Sequence, residues 1–301
     1  MAKWTFSDAG ETFQLSDGRT LGYVESGDPA GRPVFFFHGA PGSRLEGLTF
    51  DEDNKRLGIR MIAPERPGYG LSDVHKRRTY LDWARDVGEL ADHVGVDRFA
   101  VLGVSSGGPY AAAVSHELPG RVTSAGLVSG EGPYASDDYP EAVMKGDAFN
   151  ASMLNKVLIW GARVPWAMRG LWATMGVFLL RNPVAFIESV AEENAPEHDR
   201  EYFAREDVAT DLTEAFRQGG TGAAVDHSIE RLKWPFELED IEVPVRVFHG
   251  ELDVTVDRGV ATYVCGRLPT CTEPIMFPGE GHSVLHYRYE EIVSAVLEAG
   301  E

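Results

Sequence analysis

The chain has 301 residues, 43% of them hydrophobic and 25% charged, which suits one large α/β domain or two small ones with an ample core. Its formal net charge of −19 repels polyphosphates and anionic lipid headgroups. This charge argues against nucleic acid or a membrane surface as a partner.

Short apolar runs and helical periodicity alternate through the first 130 residues. A turn signal at 16–19 joins two β-prone runs into a predicted hairpin. The run at 34–37 is continuously apolar, which is typical of a strand buried on both faces. The sequence here predicts strands at 12–15, 20–24, 34–37, 60–63, 99–104 and 121–129, and a helix at 79–94.

The alternation stops near residue 130 and resumes near residue 243. The stretch between is helical and irregular, with no clear strand. Beyond it the sequence predicts strands at 243–249 and 273–277 and helices at 258–268 and 287–299. The fold class is therefore α/β, a mostly parallel eight-stranded sheet flanked by helices. The core comprises 1–130 and 241–301, and 131–240 forms an inserted helical cap.

A glycine-flanked serine follows the predicted strand at 99–104. The spacing Gly103-x-Ser105-x-Gly107 is that of a nucleophile elbow, in which side chains at the flanking positions would collide with the strand or the helix. Ser106 is the poorer candidate, because Val104 would then occupy a position that needs a small residue. Alone, the pattern also fits an inert strand-to-helix loop.

A serine nucleophile needs a base, and that base needs an orienting carboxylate. Asp253 and His282 each lie just past the carboxyl end of a predicted strand, at the same edge of the sheet as Ser105. Competing acids are Glu131, which follows the strand at 121–129, and Glu251 and Asp257, which also fit a loop or a helix N-terminus. Among other histidines, His286 could share a helical face with His282, and a structural role is expected for His249. No role is assigned to His75, His93, His116, His198 and His227.

Negative charge that develops on a carbonyl oxygen needs backbone N–H donors. The residue after the nucleophile, Ser106, would offer one at a helix N-terminus. The glycine-rich loop after the strand at 34–37 would offer a second, from Ala40. The same loop could instead be a simple tight turn.

Together these segments resemble the α/β-hydrolase superfamily, with an esterase- or lipase-like serine nucleophile and a helical cap. The resemblance covers the chain outside the insertion and is carried by DGRTLGY (17–23), FHGAPGSR (37–44), RPGYGLS (66–72), GVSSGG (103–108), HGELD (249–253) and GEGH (279–282). It implies Ser105 as nucleophile, Asp253 as acid, His282 as base, and Ala40 with Ser106 as oxyanion donors. Glu65 departs from the family's usual aspartate and affects loop packing. The serine argues against haloalkane dehalogenases and epoxide hydrolases, which place aspartate there.

The function expected is hydrolysis of a carboxylic ester of a small substrate, through an acyl-enzyme and without a cofactor or metal. Alternatives are an amide (as in proline iminopeptidases), a lactone or a carbon–carbon bond, a perhydrolase or lyase, and a ligand-binding or signalling protein that retains the triad. The cap predicts a substrate with a hydrophobic portion because it is rich in Trp160, Trp166, Met168, Trp172, Met175, Phe178, Leu179 and Leu180. Its acidic stretch, 192–214, is expected to form the solvated outer face.

Cysteines and apolar runs bear on where the protein works. Cys265 and Cys271 are too few for a disulfide framework and lie in no metal-ligand pattern, so two buried thiols are expected rather than a local bridge. No secretory signal is recognised at the N-terminus. The longest uncharged apolar piece, 170–180, is shorter than the roughly 20 residues of a spanning helix. These features predict a cytoplasmic protein that acts on a small molecule, with a homodimer left open.

Overall fold

The predicted strands assemble into a single eight-stranded sheet. A computed structural model describes residues 7–140, 143, 165–181 and 195–301 of the chain. The strands are β1 (Glu11–Gln14), β2 (Thr20–Gly27), β3 (Arg32–Phe37), β4 (Ile59–Pro64), β5 (Phe99–Val104), β6 (Val122–Val128), β7 (Val245–Gly250) and β8 (Ile275–Phe277). Their spatial order is β1-β2-β4-β3-β5-β6-β7-β8. The mostly parallel eight-stranded sheet expected from the sequence is confirmed.

Strand direction follows from how each strand is connected. The hairpin strand β2 pairs antiparallel with β1 and β4, and every other neighbouring pair is parallel. All six residues of β5 are buried, as its unbroken apolar sequence predicts for a strand covered on both faces. Because Phe37 pairs with Gly103 and Val104 with Val128, the carboxyl ends of β3, β5 and β6 meet at one edge. The loops that leave this edge carry the predicted site.

Helices cover both faces of the sheet, over two separate groups of buried apolar side chains. Two short 3-10 helices occupy Arg44–Phe50 and Leu238–Asp240. The α-helices of the described ranges are α1 (Asp51–Leu57), α2 (Tyr80–His93), α3 (Gly107–Glu117), α4 (Pro165–Arg181), α5 (Glu197–Phe203), α6 (Glu206–Ala215), α7 (Thr221–Glu230), α8 (Arg258–Arg267), α9 (Val284–Tyr287) and α10 (Tyr289–Ala299). Within these ranges no helix is both long and apolar enough to cross a membrane.

Helices α4 to α7 lie between β6 and β7, where the sequence predicts a helical insertion. Trp172 and Leu179 are buried with Phe216, which directly follows α6, and with Tyr69 of the core, whereas Phe178 is 61% exposed. Among the other aromatic and methionine residues predicted for a cap, Trp160 lies outside the described residues, as do the side chains of Trp166 and Met168. The division at 131–240 stays a prediction.

The acidic stretch at 192–214 is not wholly a solvated face, as the sequence had predicted. Asp199, Asp211 and Glu214 are buried, with exposed fractions of 1%, 9% and 0%. Their partners lie on the core, far away in sequence, and include Ser43 and Arg44. A local count of charges cannot reveal such partners, which is why the expectation was wrong for these three residues.

The expectation of two free thiols is also wrong. Cys265 and Cys271 form a disulfide bond, with their Cα atoms 5.2 Å apart. Helix α8 ends at Arg267, and the turn after it returns Cys271 toward the helix through a hydrogen bond from its N–H to the carbonyl of Leu268. This reversal brings the second sulfur back to the first.

Candidate active site

Ser105 lies in the sharp turn between β5 and α3. Its φ angle is +53°, a left-handed conformation that serine rarely adopts. Hydrogen bonds on both sides hold the turn: the N–H of Ser105 donates to Val128 (2.9 Å), and its carbonyl accepts from Gly108 (3.0 Å) and Glu131 (3.2 Å). The strained residue is therefore fixed by its neighbours.

The glycines that flank Ser105 are required by close backbone approaches. A Cβ on Gly103 would lie 2.3 Å from the carbonyl oxygen of Gly107, and a Cβ on Gly107 would lie 2.1 Å from that of Phe37. Both distances are far below van der Waals contact. The steric reason given for the Gly-x-Ser-x-Gly spacing therefore holds in the structure.

The two adjacent serines have different environments. The side chain of Ser106 is buried, and its Oγ accepts a hydrogen bond of 3.1 Å from Nη2 of Arg66. Ser105 is partly exposed at the sheet edge. Ser105 is thus the more accessible of the two serines.

His282 and Asp253 are in direct contact. Nδ1 of His282 donates to Oδ2 of Asp253 at 2.8 Å. The other carboxylate oxygen, Oδ1, accepts from the N–H groups of Thr255 (2.8 Å) and Val256 (2.9 Å). Asp253 is buried at the end of β7, so its orientation is fixed by the loop, and it fixes in turn the orientation of the imidazole.

Charge and burial compete at this pair. Burial favours the neutral imidazole, but the Asp253 carboxylate, with Asp199 and Glu131 behind it, outweighs burial and raises the pKa of His282 to about 9. Burial would likewise raise the pKa of Asp253, but His282, together with His249 and the Val256 N–H, holds it below its usual range. The carboxylate therefore stays ionised beside the imidazole.

Glu131, the principal alternative acid, lies next to the elbow rather than on the histidine. Its N–H contacts the carbonyl of Ser105, and its Oε2 is buried with no hydrogen-bond partner among the described residues. Burial and the charge of Glu230 raise the pKa of Glu131 to about 8. A carboxyl that is largely protonated at pH 7 is a poor orienting anion.

The other candidate acids and histidines make contacts that explain them without a catalytic role, or are exposed. Asp257 caps the N-terminus of α8 by accepting from Gly259, and Glu251 is exposed. His249 is buried, with Nε2 3.0 Å from the carbonyl of Val256 and 3.3 Å from Asp253. His286 stacks between Phe50 and Tyr202. These contacts agree with the structural role expected for His249.

The loop after β3 lies against the elbow. A Cβ on Gly39 would be 3.6 Å from that of Ser105. Among the described residues, neither the N–H of Ala40 nor that of Ser106 donates to a protein acceptor. Both amides are therefore free to bind an oxygen of a substrate, as the oxyanion-hole prediction requires.

A buried arginine fixes the shape of this loop. Arg66 donates to the carbonyls of His38 and Gly39, the latter at 2.8 Å. His38 is buried, and burial with the nearby Arg66 charge lowers its pKa well below the usual value, so the ring is neutral. It accepts at Nε2 from the N–H of Arg66 (3.1 Å).

Four buried carboxylates of the insertion contact these core loops and were missed in the sequence. Asp211 accepts from the N–H (3.0 Å) and hydroxyl (2.5 Å) of Ser43, in the loop that follows Ala40. The other three contacts are Glu214 with Arg44, Asp226 with Arg66, and Asp199 with the backbone at His282. Isolated acids on irregular helices carry no local signal of such partners.

Glu65 supports the same region. It is fully buried, accepts two hydrogen bonds from Nη1 of Arg44 (2.9 and 3.0 Å), and receives the N–H of Leu71 at 2.7 Å. This agrees with the loop-packing role expected of it. As for metals, no three His, Cys, Asp or Glu side chains within the described ranges are grouped so that they could hold an ion.

Comparison with known proteins gives a match to one family model and to several curated proteins. A family model described as alpha/beta hydrolase fold matches residues 32–289. Among curated proteins, a non-heme chloroperoxidase of Streptomyces lividans is 36% identical over 44% of this chain and 49% of its own length. A proline iminopeptidase of Arabidopsis thaliana is 33% identical over 38% of this chain and 30% of its own. The matched segments thus span half or less of these relatives.

Solved structures match over almost the whole chain. The epoxide hydrolase VrEH1 of Vigna radiata superposes with a TM-score of 0.71 over 96% of both chains, at 19% sequence identity. At this identity the likeness concerns the fold alone.

Proposed function

The chain belongs to the alpha/beta hydrolase family, and from this premise we propose that it is a serine hydrolase that cleaves a carboxylic ester. The proposed catalytic residues are Ser105, His282 and Asp253, with the amides of Ala40 and Ser106 as the oxyanion hole. The observation that carries the proposal is the 2.8 Å hydrogen bond between His282 and a buried, ionised Asp253. A carboxylate held in this way is the usual orienting partner of a catalytic imidazole.

The reaction proceeds in two halves. Oγ of Ser105 attacks the ester carbonyl while Nε2 of His282 takes its proton, and the oxyanion is stabilised by the N–H groups of Ala40 and Ser106. His282 then returns the proton to the leaving alcohol, which leaves an acyl group on Ser105. Water, deprotonated by the same imidazole, releases the acid and restores the serine. Asp253 stabilises the imidazolium in both halves.

The substrate is proposed to be small and partly hydrophobic. This part of the proposal rests on the aromatic and methionine content of the insertion, together with the 61% exposure of Phe178 on α4. An apolar acyl or alcohol group would be held by such side chains, because burial of apolar area favours binding by about 25 cal/mol per Å².

A fluorophosphonate probe and a panel of nitrophenyl esters test the proposal. Wild-type protein should become labelled at Ser105 and turn over at least one ester, and Ser105→Ala should abolish both. Ser106→Ala is the matched control and should still be labelled, because only its backbone N–H takes part. Labelling elsewhere, or full turnover by Ser105→Ala, would refute the proposal. A stoichiometric burst without turnover would indicate a binding protein.

A second candidate is cleavage of an amide next to a charged amino terminus. Glu131 and Glu230 lie close enough for their charges to repel, and an ammonium group between them would relieve this repulsion. A proline iminopeptidase is among the relatives. Aminoacyl nitroanilides compared with nitrophenyl esters separate the two candidates, since only the former would require Glu131 and Glu230.

A further inference from the structure

Helix α5 of the insertion is docked on the loop that carries His282. Oδ2 of Asp199 accepts the backbone N–H of His282 at 2.9 Å. Oδ1 accepts both the N–H (2.8 Å) and the hydroxyl (2.5 Å) of Ser283. Asp199 is only 1% exposed, so these charge-assisted hydrogen bonds are shielded from water.

The loop is built for this contact. A Cβ on Gly281 would lie 2.2 Å from Oδ2 of Asp199, so the carboxylate can approach the backbone only because residue 281 is glycine. Two further contacts flank it: Nδ1 of His198 lies 2.8 Å from Oε2 of Glu280, and the Tyr287 hydroxyl donates to the His198 carbonyl at 2.9 Å. Helix α5 therefore contacts residues of the chain both before and after His282.

The strand before this loop is short, and core contacts hold the loop mainly at Glu280, through the N–H of Leu252 (2.9 Å) and Nε of Arg288 (2.8 Å). Strand β8 has three residues, Ile275–Phe277, and pairs with a single neighbour, β7. Asp253 accepts a hydrogen bond from Nδ1 of the imidazole but does not contact the backbone of residue 282, from which the side chain extends. Asp199 does contact this backbone, and so it restricts the position from which the imidazole extends.

We propose that Asp199 is a positioning residue for His282, so that the imidazole is aimed at Ser105 only while helix α5 is docked on the loop. The inference rests on the proposed function, because it assigns His282 as the base. It also makes the insertion part of the catalytic apparatus: a movement of α5 away from the core would release the backbone that carries the base.

Asp199→Asn is the informative variant because it changes no volume. Both oxygens of Asp199 accept from backbone N–H groups, whereas an asparagine has one acceptor oxygen and would point its NH₂ at the second N–H. We expect kcat for an ester to fall about 100-fold, as misplacement of a catalytic group by about 1 Å can do, with little change in KM. Glu201→Gln is the matched control, an exposed acid on the same helix, and should leave kcat unchanged.

Titration of the His282 imidazole by NMR gives a second readout. Three carboxyl groups act on this ring: Asp253, Asp199 and Glu131. Removal of the Asp199 charge should lower the pKa of His282, and the acid limb of kcat/KM should move to lower pH, because the base must be neutral. Glu201→Gln should change neither. A titration shift with unchanged kcat would show that Asp199 acts on the ring through its charge alone, which would overturn the positioning role.

Gly281→Ala tests the same contact by changing the loop instead of the carboxylate. It also keeps the inference testable if Asp199→Asn does not fold. The added methyl group would push the carboxylate away without removing its charge, so kcat should fall by a similar factor. The double variant should be no worse than either single one, because both break one interaction. Folded Asp199→Asn with unchanged kcat, or fully additive losses, would overturn the inference.

The outcomes distinguish this inference from the proposed function. If wild-type protein neither reacts with a fluorophosphonate nor turns over an ester, the proposed function fails. In that case the NMR signals of the His282 ring in Gly281→Ala, which keeps the Asp199 charge, still test whether the contact holds the ring, since they need no activity. If wild-type protein is active and Asp199→Asn matches it in kcat, the positioning role alone fails.

Discussion

At the scale of single residues, the candidate site is an imidazole near acidic side chains whose pKa values are shifted in opposite directions. Asp253 is ionised and hydrogen-bonded to His282, whereas Glu131 sits in a less polar place where its pKa is raised to about 8. Environments that separate the pKa values of neighbouring carboxyls assign them different tasks. Asp253 can therefore stabilise an imidazolium at pH 7, and Glu131 cannot do so to the same extent.

The two acids should respond differently to neutralisation. Asp253→Asn should lower kcat for an ester about 10³- to 10⁴-fold at pH 7, because the imidazole loses its tautomer and its counter-charge. Glu131→Gln should stay within about threefold of wild type, because a protonated carboxyl and an amide are both neutral. Ester hydrolysis by both variants at pH 7 decides the matter. The reverse ranking would make Glu131 the triad acid.

The sequence indicated some residues of the candidate site and gave no sign of others. Ser105 could be chosen over Ser106 because the glycine spacing reflects local sterics. Asp199 could not be found, since it acts on a backbone N–H 83 residues away. A carboxylate that contacts backbone leaves no complementary charge in the sequence by which to recognise it.

At the scale of elements, prediction was accurate where a segment's own periodicity determines its structure. Strand β5 runs over Phe99–Val104, as predicted, and α2 over Tyr80–His93, one residue shorter at each end. Prediction failed where a partner element decides burial. Helix α6 is amphipathic, but its buried face includes Asp211 and Glu214 because Ser43 and Arg44 of the core meet them there.

The turn between β5 and α3 offers a test at this scale. Gly107→Ala would place a methyl group 2.1 Å from the carbonyl oxygen of Phe37 and force β3 and α3 apart. We expect the free energy of unfolding to fall by about 1–3 kcal/mol, as in other overpacked sites, with a parallel loss of labelling at Ser105.

Gly266→Ala is the control for this substitution. Gly266 is exposed on α8, with nothing within 4 Å of an added Cβ. Alanine should stabilise the helix there by about 0.5–1 kcal/mol. Denaturant unfolding of the two variants measures the difference, and equal stabilities would show that the elbow tolerates a side chain at residue 107.

At the scale of the whole molecule, the inserted helices and the core are joined by buried acidic side chains. Asp199, Asp211, Glu214 and Asp226 each contact a core segment that adjoins the candidate catalytic residues. A buried carboxyl group, ionised or neutral, needs a hydrogen-bond or charge partner, so each contact favours one docked arrangement of insertion and core. The predicted insertion, 131–240, is therefore one continuous stretch of sequence but is not expected to fold independently of the core. We expect it to be needed for an active site.

Asp226 is the centre of the largest of these contacts. It accepts from Arg66 (2.9 Å), Tyr69 (2.8 Å) and Tyr110 (2.7 Å), and also from Arg78. Burial alone would raise its pKa, but the two guanidinium groups outweigh burial and lower the pKa of Asp226 below its usual range. Its contribution to stability is therefore complete above its unfolded pKa, near 3.9, and is lost as the pH falls below that value.

Asp226→Asn should consequently destabilise the protein at neutral pH. It leaves two buried guanidinium charges without a carboxylate, which costs about 3–5 kcal/mol and should lower Tm by about 10 °C. Asp207→Asn is the matched control, an acid of the insertion that is paired with Arg205 at the surface and whose removal should cost at most about 1 kcal/mol. Calorimetry at pH 7 and pH 3 measures both variants. The deficit of Asp226→Asn should shrink at pH 3, because the wild-type carboxyl is then largely protonated in the unfolded chain while it stays ionised in the folded protein. A deficit no larger than that of Asp207→Asn at pH 7 would mean that buried charge does not hold the insertion on the core.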